Sequence, residues 1–258
     1  MSATEAGSSA ASGPAFDDVL ALLDGVQGWL TDAQARCLWD AARAVRSGGR
    51  IVEVGSFRGR STIVLASARS DGVELVAIDP HGGGDRGPQE IAPDAAAGNE
   101  DYAAFGSNLR AAGVHDRVNH VRASSLDALG RVKGSVDLLY IDGAHRYAPA
   151  RSDIERWGAR VPPGGSMLIH DSFNAIGVML AQLRVLVFSR RWRYIGRYGS
   201  LAVYRRAQLS AAETAVNASR QLLGLPFFVR NMLIKIALVS RAVPIAHMLG
   251  HGDEPWPY

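Results

Sequence analysis

Short apolar runs alternate with stretches of helical spacing through the middle of this sequence. Ile51 to Val54, Leu75 to Ile78, Val118 to Val121, Val136 to Ile141 and Met167 to Ile169 read as strands. Ser61 to Ala68, Tyr102 to Ala112, Ala148 to Trp157 and Ile176 to Phe188 read as helices. This alternation predicts a Rossmann-like α/β fold, a mostly parallel sheet with helices on both faces. Trp192 to Ile195 and Leu201 to Tyr204, split by a glycine-containing turn, predict a closing β-hairpin.

Both flanks read as helical extensions of that sheet. Val19, Leu22 and Leu23, then Leu38, Ala41, Ala42 and Val45, recur at helical intervals, with Thr31-Asp32 as a cap between them. They place an N-terminal helical cap within a main domain spanning 15–206. Residues 1–14 are rich in Ala, Ser and Gly and read as a disordered tail, without the basic start and apolar run of a signal peptide. Residues 207–258 read as a partly apolar helical extension. Its stretch Leu225 to Leu249 is broken by Arg230, Lys235, Arg241 and Pro244, so a membrane span is not expected. The stretch is expected to pack on the main domain or on a second copy in a homo-oligomer; peripheral membrane contact is the next reading. Pro80 to Gly98, rich in Gly, Pro, Asp and Ala, reads as a long functional or disordered loop.

Composition narrows this picture only a little. A net charge of +3, without aromatics interleaved among the basic residues, gives no reason to expect a nucleic-acid partner. A lone cysteine, Cys37, excludes an internal disulfide framework and a cysteine-based zinc cluster. A cytoplasmic location, at most peripheral to a membrane, is the expectation.

The sharpest local signal runs from Ile51 to Ser61, Ile-Val-Glu-Val-Gly-Ser-Phe-Arg-Gly-Arg-Ser. It is a strand, a glycine turn and a helix start. Gly55 and Gly59 leave the backbone open to a ligand, and the helix start offers free N–H groups. The same glycines would also serve a plain strand-to-helix turn. The spacing is not the G-x-G-x-x-G of dinucleotide sites, which argues against an NAD-dependent oxidoreductase. Asp79 ends the second strand, where a carboxylate can accept both hydroxyls of a ribose.

With those residues in view, the chain resembles the class I methyltransferases. Glu53-Val-Gly55-Ser-Phe-Arg-Gly59 resembles their first motif and Ala77-Ile-Asp79 their second. Asp137 to Tyr147, containing Asp142-Gly-Ala-His145, and Pro162 to Ser172, containing His170-Asp171, resemble one branch. That branch includes macrocin-type O-methyltransferases and cephalosporin-hydroxylase-like proteins. The resemblance covers roughly Gly49 to Arg205. It implies S-adenosylmethionine as cofactor, with Glu53, Gly55, Ser56 and Gly59 around its methionine part, Asp79 on its ribose, and Ser124 and Ser125 near its adenine. The two serines would equally serve as a polar loop or helix cap. It also implies methyl transfer to an oxygen of a small molecule, a sugar or natural-product-like hydroxyl.

Asp142 and Asp171 end neighbouring strands in this topology and would face the same mouth. Two carboxylates there suit a hard divalent cation, Mg or Mn, as in the metal-dependent relatives. His170 stands where those relatives carry a further acid or amide, and a nitrogen ligand favours softer metals. His145 is the candidate general base, with Asp142 beside it, since imidazole titrates near neutrality. A structural His145 that caps the next helix is the plainer alternative. His81 reads as a solvated loop histidine, and Asp153 as a helix-start carboxylate. A scaffold that binds a nucleoside without turnover is the rival outside enzymes.

Overall fold

The computed structural model describes residues 14–84 and 92–252. The apolar runs become β1 (Arg50–Val54), β2 (Glu74–Ile78), β3 (Asn119–Val121), β4 (Leu138–Ile141) and β5 (Ser166–Ile169), all parallel. The hairpin β6 (Trp192–Tyr198) and β7 (Leu201–Arg206) closes the sheet, with β7 antiparallel to β5. Strand order is β3-β2-β1-β4-β5-β7-β6. The chain steps outward from β1 to β3, then returns to lay β4 on the other side of β1. The crevice at the carboxyl ends of β1 and β4 is the topological switch point, where open α/β sheets take ligands.

Alternation along each strand feeds two separate cores. Ile51, Leu75, Leu138, Tyr140 and Leu168 face one side, under α1 (Phe16–Leu22), α2 (Asp32–Arg43), α3 (Arg60–Ala68) and α4 (Ala95–Ala111). Val52, Val76, Leu139, Ile141 and Met167 face the other, under α5 (Ser125–Ala128), α6 (Tyr147–Arg156) and α7 (Ile176–Val185). Both faces being covered explains why these strands read as continuous apolar runs. The C-terminal extension is α8 (Ala211–Leu222), α9 (Leu225–Val239) and α10 (Val243–Met248).

Three boundaries differ from the sequence pattern. The helix expected from Tyr102 begins at Ala95, because the Asp94 carboxylate accepts the N–H groups of Ala96 and Ala97 at 3.0 and 3.1 Å. The last four residues of the expected loop, 95–98, are therefore helix, and its residues 85–91 lie outside the described residues. The helix starting at Ile176 ends at Val185 rather than Phe188. Asp153 is not at a helix start but within α6, and buried. Residues 1–13 of the expected tail also lie outside the described residues.

Gly55 is the tightest point of the switch. Its φ is +88°, and a Cβ there would lie 2.1 Å from the Asp142 carbonyl oxygen. The clash is with backbone that is itself fixed, since Asp142 N–H donates to the Val54 carbonyl at 2.8 Å. Gly55→Ala is expected to destabilise the fold by roughly 3 kcal/mol or more. Thermal or denaturant unfolding of the variant measures this; unchanged stability would mean that β1 and β4 can separate here at little cost.

Candidate active site

Four strand ends converge on one cavity of about 490 Å³. β1 delivers Gly55 and Ser56, β2 delivers Asp79, β4 delivers Asp142 and His145, and β5 delivers His170 and Asp171. Ser124 and Ser125, at the start of α5, line its far side. The segment between α1 and α2 supplies Gln27, Gly28, Trp29 and Leu30 as an outer wall. Trp29 stacks on Phe57, ring centroids 5.6 Å apart.

The glycine turn and Asp79 act as one unit. The Asp79 carboxylate accepts the Phe57 N–H at 2.9 Å and the His81 N–H at 2.7 Å. Those bonds tie the end of β2 to the turn after β1 and fix the carboxylate against the cavity. A carboxylate has about four acceptor positions, so two donors leave capacity for ligand hydroxyls. The Ser56 hydroxyl is buried and has no protein partner, although its residue borders the cavity. A buried hydroxyl of that kind calls for a donor or acceptor from a ligand or water.

Glu53 and Gly59 lie just behind this wall and do not line the cavity. Glu53 is fully buried in β1, and its carboxylate accepts the hydroxyls of Ser61 and Thr62 at the start of α3. Burial pushes its pKa up to about 8 despite those two bonds. Gly59 caps α3 with φ +89°, and a Cβ there would press on Phe105 and Leu109 of α4. Of the two serines, Ser124 caps α5 through the Asp127 N–H at 3.2 Å, and Ser125 donates to Asp153 at 2.5 Å. Both border the cavity while serving those local bonds.

The Asp and His residues at the ends of β4 and β5 form one charged cluster. Asp171 is buried, with a positive φ of 52°, and its Oδ2 lies 3.0 Å from His145 Nε2. His170 Nδ1 lies 3.1 Å from Asp142 Oδ1 and 3.4 Å from Asp171 Oδ2. Its Nε2 is 3.3 Å from Gln34 Oε1 of α2. Gln34 Oε1 also accepts the Thr31 N–H at 3.0 Å, and Gln34 Nε2 donates to Ser200 Oγ at 3.1 Å. The amide is thus oriented oxygen-first toward His170, and both ring nitrogens of His170 face acceptors only. With no cation between the carboxylates, that environment favours an imidazolium. Burial works against the charge, but the two carboxylates outweigh it and hold the His170 pKa well above the ordinary value. Burial would likewise raise the Asp171 carboxyl, yet His170 and His145 bring it well below the usual range. His145, opposed by burial, is raised by its bond to Asp171 and the charges of Asp171 and Asp142. Asp142 is also held by the buried Tyr140 hydroxyl, which donates to it at 2.8 Å.

His81 corrects the expectation of a solvated loop residue. It is buried, with φ +46°, and its Nε2 lies 3.2 Å from His120 Nε2. Its ring packs against Tyr102 and Phe105, so β2, β3 and α4 meet around it. Trp29 and Leu126 border the cavity without any local signal in the sequence. Spacing could not find them, because their roles come from loops that fold over the strand ends.

Residues 52–172 match a family model described as a methyltransferase domain. By this match, that segment is similar to methyltransferase domains, and the fold and strand order agree with it. One relative by sequence is the O-methyltransferase hkm8 of Aspergillus hancockii, 26% identical over 168 residues, which cover 64% of this chain and 54% of that protein. The chain spans about half the length, or less, of the curated relatives it matches. Among solved structures, cofactor-bound Rv0187 from MTB aligns with a TM-score of 0.54 at 20% identity, covering 78% of this chain and 93% of that one. The O-methyltransferase TomG from Streptomyces achromogenes, solved with S-adenosylmethionine, aligns at 0.53 and 18% identity, covering 74% and 89%. At such identities the two structures speak to the fold.

The burial of Glu53 has a pH signature. Its folded pKa is raised from 4.5 to about 8, so its contribution to stability is full below 4.5 and lost as pH rises through about 8. Glu53→Gln removes that titration. The variant should gain on the parent between about pH 5 and about pH 8, by on the order of 3 kcal/mol. Denaturant unfolding across that range checks it; parallel curves would show that the carboxylate is already ionised in the fold.

Proposed function

We propose that this chain is an S-adenosylmethionine-dependent O-methyltransferase acting on a hydroxyl of a small molecule, of the sugar or natural-product kind. The observation that carries the reading is one cavity bordered at one end by the glycine turn with Asp79, and at the other by the His145–Asp171 pair. The first end suits a nucleoside with an amino-acid tail. Asp79 would take the ribose hydroxyls, and the unpartnered Ser56 hydroxyl would meet the methionine part. Leu126 and the Ser124–Ser125 turn would border the base. When bound, the cofactor supplies an electrophilic methyl group on a sulfonium.

The second end provides the acid–base chemistry. His145 Nε2–H donated to Asp171 fixes the neutral tautomer with Nδ1 as the basic nitrogen, the orienting logic of an Asp–His dyad. His145 Nδ1 would take the acceptor hydroxyl proton, leaving the oxygen as the nucleophile for the sulfonium methyl, whose C–S bond would break to release the thioether. Asp171 then stabilises the imidazolium that forms. Asp142, held by Tyr140 and His170, orients the acceptor. Trp29 stacked on Phe57 shields the mouth from water. Positioning two reactants in one enclosed site supplies much of the rate.

The reading needs no divalent metal in this cluster. Asp142, His170 and Asp171 offer donor atoms within 4.8 Å of one another, close enough to hold an ion. Yet the His170 pKa is held well above the ordinary value, which favours its protonated form over a ligand's lone pair. The positive charge between the carboxylates is already the imidazolium. Magnesium and manganese also prefer oxygen donors over one imidazole. We derive no step through a metal.

Isothermal titration tests the cofactor. S-adenosylmethionine should bind and NAD should not, and Asp79→Asn should weaken binding about 10-fold or more, as loss of charge-assisted hydrogen bonds does. Tighter binding of NAD, or an unaffected Asp79→Asn protein, would overturn the assignment. Turnover tests the base. His145→Gln should lower kcat by roughly 10²- to 10⁴-fold. The base works deprotonated, so the rate should rise with pH, with its acid limb above the ordinary histidine value of 6.5. Chelator should leave turnover unchanged; loss of activity restored by magnesium or manganese would reject the metal-free reading.

A further inference from the structure

Charge is distributed very unevenly along this chain. After Asp171, residues 172–252 hold eleven Lys and Arg residues and a single acid, Glu213. That is a formal +10 in a chain whose total is +3, so the remaining residues sum to −7. The topology gathers this basic part in one place. It comprises α7, the hairpin β6–β7 at the edge of the sheet, and α8 to α10. The one acid is answered locally, by Arg193 at 2.8 Å.

The same region exposes an apolar stripe. α8 is anchored by its polar inner face, where Asn217 bonds the backbone of Trp192 and Tyr194 in β6. α9 is anchored by Asn231, which donates to the Phe173 carbonyl at 2.9 Å and to Asn174 at 2.8 Å, beside a buried Ile234. Those anchors turn the opposite face outward. Val229, Leu233, Ile236 and Val239 follow at helical spacing along α9, and Leu223 and Met248 are exposed beyond its two ends. Leu223 is 78% exposed, Val239 76% and Met248 87%. Arg220 lies one turn before Leu223, and Arg241 sits exposed in the break between α9 and α10. This is apolar surface flanked by cations, on helices held flat against a domain.

We propose that this face docks on an anionic lipid bilayer, with the α9–α10 stripe in the interface and the surrounding cations on the headgroups. The pattern is that of an interfacial helix, whose binding combines apolar burial with attraction to anionic lipid. A second copy is disfavoured on the same face, because the exposed Arg220 and Arg241 at its edges would find no acid on an identical face to oppose them. A polyanion such as RNA would use the charge but leave the apolar stripe in water. Ala211–Val239 contains a window apolar enough to cross a membrane, with mean hydropathy 1.8. The buried polar anchors of its first half keep it on the domain, so it lies on the surface.

Vesicle flotation of the full chain tests this. The probes are phosphatidylcholine vesicles with and without phosphatidylglycerol. Binding should require the anionic lipid and weaken with salt. Ile236→Glu/Val239→Glu and Arg220→Ala/Arg241→Ala should each reduce bound protein at least 5-fold, with the melting temperature and the titration with S-adenosylmethionine unchanged. Both pairs are solvent-facing and away from the cavity, so folding and cofactor binding are independent readouts. No flotation at low salt would overturn the proposal. So would light scattering that shows a dimer dissociated by Ile236→Glu/Val239→Glu, or RNA retention that the glutamate pair leaves intact.

Discussion

The approach of Gly55 to the carbonyl of Asp142 is the constraint on which the rest of the site depends. β1 and β4 are adjacent in the sheet but separated in sequence by the whole excursion through β2 and β3. Only a residue without a side chain, in a left-handed conformation, lets the ends of these strands close to that distance. Once they do, the turn after β1 presents Ser56 and Phe57 to Asp79 on one side. It also brings Asp142 and His145 to the other side of the same cavity. The end of the cavity at Asp79 and the end at His145 and Asp171 share one wall because two strands meet at one glycine.

Electrostatics then sorts the ends. Asp79 is tied by backbone N–H groups, which orient a carboxylate while leaving it acceptor capacity. Asp142 and Asp171 are tied by side chains that carry charge. His170 sits between them as a fixed cation, locked by Gln34 from the N-terminal cap, so α2 contributes to the chemistry without touching the cavity floor. A buried charge is tolerated only when it is paired, and this cluster sets His170 against two carboxylates. Glu53 is the counterpart on the other side of β1, kept buried and largely neutral. The extension α8–α10 reaches the same neighbourhood from outside, since Asn231 holds the backbone of Phe173 and Asn174, just after Asp171.

Much of this was legible along the chain. The period-2 and helical patterns gave the parallel sheet and its closing hairpin. The glycine turn and Asp79 marked one end of the cavity, and Asp142, His145, His170 and Asp171 the other. Loops and caps were less legible. Asp94 extends α4 into a segment whose glycines and alanines read as loop, because a cap acts through geometry rather than periodicity. His81 read as solvated, yet α4 and His120 bury it. Trp29 and Leu126 became cavity residues only through long-range folding of their segments.

The sequence by itself determined which candidate residues the strand ends bring to one cavity, because strand ends in an alternating α/β chain fall on predictable sides. Tertiary structure alone decided how those residues are charged. His170 lies 136 residues from Gln34 in sequence. No local pattern could show that an amide oxygen and two carboxylates would converge on one imidazole and make it a cation. Nor could spacing separate Glu53, which serves the fold from behind the wall, from Ser56, which faces the cavity. Protonation and access are properties of what surrounds a side chain, and those surroundings exist only once distant segments have packed.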